Sequence, residues 1–204
     1  MIAGDLFTIS APSGAGKTRL VNAMIEHLPD LVLSVSHTTR TMRPGEVDGE
    51  DYYFVEHDAF EAMVEQGDFL EHAQVFGNFY GTAQPSVDRH IAAGKSVLLE
   101  IDWQGAMQVR RLRPDTVSLF ILPPSRQALE QRLRNRGQDS DQVIADRMAA
   151  AKGEISHYAE ADYLIVNDQF EQALADALAV IRAQGLSQRR QAAAQQELLA
   201  ALLA

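Results

Sequence analysis

The chain has 204 residues, 46% hydrophobic and 23% charged, a globular composition that excludes wholesale disorder and suits one domain with room for an inserted lobe. Its 18 basic and 28 acidic side chains leave a net charge of −10, which disfavours non-specific binding to a nucleic acid backbone. Cysteine is absent, which excludes a disulfide framework, a thiol nucleophile and a Cys-type zinc site, and a cytoplasmic location is expected. The start, Met1-Ile2-Ala3-Gly4-Asp5, lacks the basic-then-apolar pattern of a signal peptide. No run approaches the roughly 18 apolar residues of a membrane span, so no membrane partner is expected.

Leu6-Phe7-Thr8-Ile9 is short and wholly apolar apart from one threonine, as a buried strand should be. A small-residue segment follows, and from Lys17 a helical stripe of Leu20, Val21, Met24, Ile25 and Leu28 runs to the stop at Pro29. The stretch 31–90 differs in texture. Apolar runs at 31–35 and 52–55 alternate with turn signals at Pro44-Gly45, Asp48-Gly49 and Gly77-Asn78, which predicts an inserted lobe of short, partly antiparallel strands. Beyond it, runs at 97–99, 117–122 and 163–166 read as buried parallel strands. Helical patterns at 104–112, 126–135, 141–160 and 169–183 lie between and after them. Strands alternating with helices predict an α/β doubly wound core. The tail, 186–204, is rich in Gln, Ala and Leu. It reads as a docked terminal helix, or, through Leu198, Leu199, Leu202 and Leu203, as a surface for self-association.

Ala11-Pro12-Ser13-Gly14-Ala15-Gly16-Lys17-Thr18 matches the phosphate-binding pattern G-x-x-x-x-G-K-[ST], with Ala11 at the first glycine. Small residues let successive backbone N–H groups curl around an anion, and the helix opening at Lys17 adds free N–H groups and the positive end of its dipole. Lys17 supplies a mobile cation for terminal phosphates, and Thr18 a hydroxyl for Mg²⁺. A nucleoside triphosphate is therefore expected. A GTPase should carry N-K-x-D, which is absent. The strand at 97–99 runs into Glu100-Ile101-Asp102, placing two carboxylates where α/β sites open. One could hold Mg²⁺ through water while the other meets the acceptor. Residues 110–136 hold seven arginines against Asp115 and Glu130, a cationic island on an acidic chain that points to focused anion binding.

Ser36-His37-Thr38-Thr39-Arg40-Thr41-Met42-Arg43-Pro44-Gly45-Glu46 leads on to Tyr52, a segment dense in phosphate-binding groups. It resembles the GMP-binding signature of guanylate kinases of bacterial type, with Met42 where that family usually has proline. Further matches follow in order: Phe69-Leu70-Glu71-His72, Gly77-Asn78-Phe79-Tyr80-Gly81-Thr82, Ile101-Asp102-Trp103-Gln104-Gly105, Arg132 to Gly137, Arg147, and Ile165-Val166-Asn167-Asp168. The resemblance implies a P-loop nucleoside monophosphate kinase-like three-layer core with a parallel sheet, an inserted mixed α/β GMP-binding lobe and a mobile lid. Within one domain it sets the core at 1–33, 91–125 and 158–185, the lobe at 34–90, the lid at 126–157, and an extension outside the shared pattern at 186–204. It implies transfer of the ATP γ-phosphate to GMP with Mg²⁺, the metal meeting Thr18 and Glu100.

The same resemblance sets Ser36, Arg40, Arg43, Tyr52 and Tyr80 around the GMP phosphate, and Glu71, Thr82 and Asp102 on the guanine. Residues 11–18 hold the ATP phosphates and Asn167 stands near the adenine. Lys17, Arg43, Arg132, Arg136 and Arg147 act on the transferring group. Arg134, two residues from Arg132 on a helix, points away and reads as a solvated charge. Trp103 reads as packing, and the six histidines as structural. A non-catalytic binding module and a kinase for another phosphate acceptor are the rival readings. The intact Gly16-Lys17-Thr18 argues against the first, and Glu71 with Asp102 against the second.

Overall fold

A computed structural model of the chain describes residues 3–75, 77–135 and 140–204. Its centre is a five-stranded parallel sheet built from β1 (Leu6–Ser10), β2 (Leu31–Leu33), β7 (Ser96–Glu100), β8 (Val117–Leu122) and β9 (Tyr163–Val166), in the order β2-β7-β1-β8-β9. Every residue of β1 is buried, as a central parallel strand covered on both faces requires. Side chains alternate between those faces. Phe7, Ile9 and Leu98 enter a core with α1 (Lys17–His27) and α7 (Phe170–Gly185). Leu6, Val97 and Leu99 enter another beneath α3 (Gln84–Ala92) and α4 (Trp103–Leu112). Three layers result.

The topology fixes where the site opens. After β1 the chain moves outward to β2, and later returns through β7 and crosses β1 to β8. The loop leaving β1 therefore lies at the point where the winding reverses, the usual mouth of an open α/β sheet.

Between β2 and β7 stands a second sheet, order β4-β3-β6-β5, made of β3 (His37–Thr38), β4 (Tyr53–Phe54), β5 (Phe69–Val75) and β6 (Asn78–Ala83). β3 and β5 run antiparallel to β6. Helix α2 (His57–Gln66) covers this sheet by stacking Phe60 on Phe69, ring centroids 4.6 Å apart. A third small core joins α5 (Arg126–Asn135) to α6 (Asp141–Ser156), through Leu129 and Leu133 on one helix and Ile144, Met148 and Ala151 on the other. Both sets follow helical spacing, so each helix turns one apolar stripe to its partner.

The sequence reading is corrected at three places. Leu31-Val32-Leu33, which the texture of 31–90 grouped with the lobe, belongs to the core sheet, parallel to β7 at Leu31↔Ser96, on the core side of the 33/34 boundary that the resemblance implied. A short apolar run without alternation reads the same in either setting. The helix expected over 141–160 ends at Ser156, and His157–Glu160 forms a 3₁₀ turn. The tail forms two helices, α8 (Gln188–Ala194) and α9 (Gln196–Leu203). Arg190 and Arg189 of α8 pair with Asp5 and Asp115, while Leu202 and Leu203 of α9 stay exposed. Among the described residues, no helix is long and apolar enough to cross a membrane.

Leu98 is fully buried at the centre of the largest core. Leu98→Ala is expected to destabilise the fold by about 2–5 kcal/mol in urea unfolding, through lost transfer energy and a residual cavity. Leu203→Ala, on an exposed side chain, is expected to change it by no more than about 0.5 kcal/mol.

Candidate active site

The phosphate loop links β1 to α1. Gly16 is the N-cap of α1 with φ 91°, a left-handed conformation that favours glycine. A β-carbon there would stand 2.6 Å from Asn167 Nδ2, so space and backbone both demand its absence. Asn167 is buried at the end of β9 and donates from Nδ2 to the Ala15 carbonyl at 2.8 Å. Arg132 donates to the same carbonyl at 3.2 Å and to the Asn167 carbonyl at 2.7 Å. The loop is thus tied to the strand on one side and to α5 on the other. Asn167, expected near an adenine, spends its amide on the shape of the loop.

Lys17 reaches past the loop. Its Nζ donates to the Ile101 carbonyl at 3.0 Å and lies 3.9 Å from Glu100 Oε1. Thr18 Oγ1 donates to Glu100 Oε1 at 2.6 Å. Two hard oxygen ligands therefore stand together beside a phosphate cradle, a donor set that fits Mg²⁺.

Across the sheet mouth, Arg40 lies between aromatic faces, its guanidinium carbon 5.3 Å from the Tyr52 ring centre and 5.6 Å from that of Phe54. Both Glu46 oxygens accept from it, at 2.7 and 3.0 Å. This hydrogen bonding raises the Arg40 pKa and lowers that of Glu46. Burial pushes the Tyr52 hydroxyl up to about 12, with Glu100 next among the causes, so it stays a proton donor. Arg43 is exposed, and its backbone N–H donates to Glu46 Oε2 at 2.7 Å.

Glu71 sits on β5 at 4% exposure and accepts from Thr82 Oγ1 of β6 at 2.6 Å. Its other oxygen lies against Gly105, where an added β-carbon would come within 2.4 Å of it. Desolvation dominates, and the Glu71 pKa rises to about 7, with Thr82 opposing and Asp102 adding to the rise. Asp102 caps α4, accepting from Gly105 N at 2.9 Å and from Gln104 Nε2 at 3.1 Å. Lys17, Ser36, Tyr52, Glu71, Tyr80, Glu100 and Asp102 line one open cleft of about 150 Å³. A cation, hydroxyl donors and a buried acid thus face a common space between the two sheets. Such a cleft can hold an anion at one end and a hydrogen-bond donor edge at the other.

The arginine island divides differently from expectation. Arg110 pairs with Asp162, Arg113 with Asp88, and Arg134 with Glu130 and Asp141. The acids that meet these three are not among the residues lining the cleft. Arg132 alone of the group has described contacts to the phosphate loop. Arg136 lies outside the described residues. Arg147 is half-buried on α6. Sequence reasoning missed Glu46, the partner of Arg40, and Glu154 of α6, whose Oε2 accepts from Ser13 N of the loop at 3.0 Å. The three-residue spacing of Arg43 and Glu46 was available as a turn signal for the first, but nothing local signals the second.

The sign of the Glu71 shift sets a pH dependence. A raised pKa means the folded, ligand-free protein binds this proton more tightly than the unfolded chain. The contribution is fully present below pH 4.5 and is lost as pH rises through 7. Thermal melts of the ligand-free protein should therefore show Glu71 costing stability between pH 5 and 8, by on the order of 3 kcal/mol, and Glu71→Gln should remove that part of the slope.

A family model for guanylate kinase matches residues 4–184. The chain is 60% identical over 203 residues to the guanylate kinase of Methylococcus capsulatus (strain ATCC 33009 / NCIMB 11132 / Bath), covering 100% of each chain. It is 54% identical over 206 residues to that of Escherichia coli (strain K12), again over 100% of each. The crystal structure of guanylate kinase from Anaplasma phagocytophilum superposes with a TM-score of 0.78 at 35% identity, over 93% of this chain and 90% of that one. With a phosphate loop and a buried acid facing one cleft, and kinship along its full length, the chain belongs to the guanylate kinase family.

Proposed function

We propose that the protein is an ATP:GMP phosphotransferase whose reaction runs in the cleft between the two sheets, giving ADP and GDP. One observation carries this reading: Lys17 and the buried Glu71 line the same cleft, so a phosphate-handling cation and a purine-reading acid face one ligand.

The acceptor oxygen belongs to the GMP phosphate. Its second pKa is about 6, so it is largely dianionic near neutrality and needs no general base. The obstacle is repulsion between two anionic phosphates. Ser36, Arg40, Arg43, Tyr52 and Tyr80 hold the GMP phosphate, with Glu46 aiming the Arg40 fork. Residues 11–18 and the amino end of α1 cradle the ATP phosphates, and Lys17 moves from the Ile101 carbonyl onto them. Arg132, Arg136 and Arg147 meet charge on the transferring group. Preorganised cations of this kind are worth roughly 10³–10⁵ in rate. Thr18 and Glu100 are the residues that would hold Mg²⁺, which offsets phosphate charge when bound with ATP. The lobe at 34–90 serves GMP, the segment 126–157 closes over ATP, and the remainder of 1–185 is the frame. Asn167 stands on the adenine side of the loop that it braces.

Base choice follows from Glu71, Thr82 and Asp102. Guanine offers N1–H and a 2-amino group, both donors, to a buried carboxylate. Adenine offers a bare nitrogen there and leaves the acid facing a lone pair, a mismatch that can discriminate by about 10⁴–10⁵. Docking guanine favours the ionised acid, so GMP uptake draws a proton from Glu71. A cytoplasmic location is part of this reading, with no nucleic acid or membrane partner. The exposed leucines of α9 support self-association through 186–204, and loss of residues 196–204 is expected to lower the mass seen by sedimentation.

An ADP-release assay across GMP, AMP, dTMP and a pentose phosphate tests the proposal. Turnover is expected with GMP, and Lys17→Met should lower it by at least about a hundredfold. Glu71→Gln should relax the preference for GMP over AMP more than it raises the KM for GMP. Full selectivity in that variant would remove Glu71 as the purine reader, and turnover with none of the acceptors would favour a binding module.

A further inference from the structure

The carboxyl end of α6 and the 3₁₀ turn after it make two contacts that join the halves of the reaction. Glu154 Oε2 accepts from the Ser13 backbone N–H of the phosphate loop at 3.0 Å, across 141 residues of sequence. Three residues on, the His157 ring lies flat on Trp103, centroids 3.5 Å apart and planes 6° from parallel. Trp103 is the first residue of α4, directly after Asp102, and Gly105 of the same turn abuts Glu71. One short stretch, 154–157, therefore touches the ATP loop on one side and the guanine-reading turn on the other. Behind it the chain is fixed. His157 Nδ1 meets Glu160 at 2.9 Å, and Arg110 binds the Glu160 carbonyl and Asp162, which in turn accepts from Ser118 of β8.

We infer that Glu154 is a positioning residue, and that the 154–157 mount sets the register of α6 over the phosphate loop and carries the state of the ATP site to the purine turn. Helical geometry gives the reason. Arg147 precedes Glu154 by seven residues, nearly two full turns at about 3.6 residues each, so both lie on one face of α6. Fixing Glu154 to Ser13 fixes where Arg147 falls. A misplacement of about 1 Å at a group that stabilises transferring charge can cost on the order of a hundredfold in rate. The contact takes one loop amide. The first N–H groups of α1, which have no partner within the helix, remain for the phosphates. The His157–Trp103 stack then couples any shift of α6 to the turn that holds Asp102 and Gly105.

The inference rests on the GMP kinase reaction proposed above. Trp103 is the single tryptophan, so its emission reports the stack directly. In Glu154→Ala, kcat is expected to fall by about tenfold or more while the KM for GMP stays within about twofold. The change in Trp103 emission on adding a non-hydrolysable ATP analogue should disappear, while the change on adding GMP remains. Glu154→Gln keeps an oxygen that accepts from Ser13 N and should stay within about threefold of the unaltered protein. An unchanged kcat in Glu154→Ala, a lowered KM for ATP (the mark of a carboxylate that merely competes with phosphate), or a retained analogue response in that variant overturns the inference. Should Glu154→Ala not fold, His157→Leu is measured instead. It is expected to abolish the analogue response of Trp103, and retention of that response also overturns the coupling. The emission readout needs only binding, so it decides the matter even if the unaltered protein releases no ADP with GMP.

Discussion

Two phosphate groups must approach in line inside a protein of net charge −10. Everything in the cleft follows from that repulsion. At contact distance two like charges in a partly desolvated site oppose each other by several kcal/mol, far more than in bulk water. The chain answers by gathering cations at the mouth of one parallel sheet and by pairing several other arginines with acids elsewhere. Arg110, Arg113 and Arg134 each meet carboxylates in the frame.

The cations that remain are held ready rather than loose. Arg40 is gripped by both oxygens of Glu46 between two aromatic faces, so its fork is aimed before any ligand arrives. Lys17 rests on the Ile101 carbonyl beside Glu100. Arg132 rests on carbonyls of the loop and of Asn167. Preorganisation of this kind lowers the cost of arranging dipoles during the reaction. The end proposed for the purine uses the opposite device. Glu71 is buried where ionisation is unfavourable, so a partner that supplies donors restores its charge. In the proposed reaction, phosphate handling and base choice draw on the same cleft from two sides.

Much of this was legible in the residues. The phosphate loop, the strand ending in Glu100-Ile101-Asp102 and the paired arginines 40 and 43 are local patterns with local physics, and the parallel strands announce themselves by continuous apolar runs. What was not legible depends on distance in the chain. By pattern alone Leu31–Leu33 grouped with the lobe, because three apolar residues carry no record of their partner; only the resemblance set them in the core. The seven arginines of 110–136 read as one cationic island because Asp162 and Asp88, which neutralise two of them, lie far away in sequence. Glu154 was invisible for the same reason: its partner is a backbone amide 141 residues earlier, and a backbone amide has no sequence signature.

The central claim is that one cleft reads guanine with Glu71 while delivering its phosphate to Lys17. A crystal structure with GMP and a non-hydrolysable ATP analogue tests it most directly. The account predicts the guanine N1 and 2-amino groups within hydrogen-bond distance of Glu71, the GMP phosphate on Arg40, and Lys17 moved from the Ile101 carbonyl onto the ATP phosphates. A purine bound away from Glu71, or an acceptor phosphate out of line with the analogue's terminal phosphate, would contradict it.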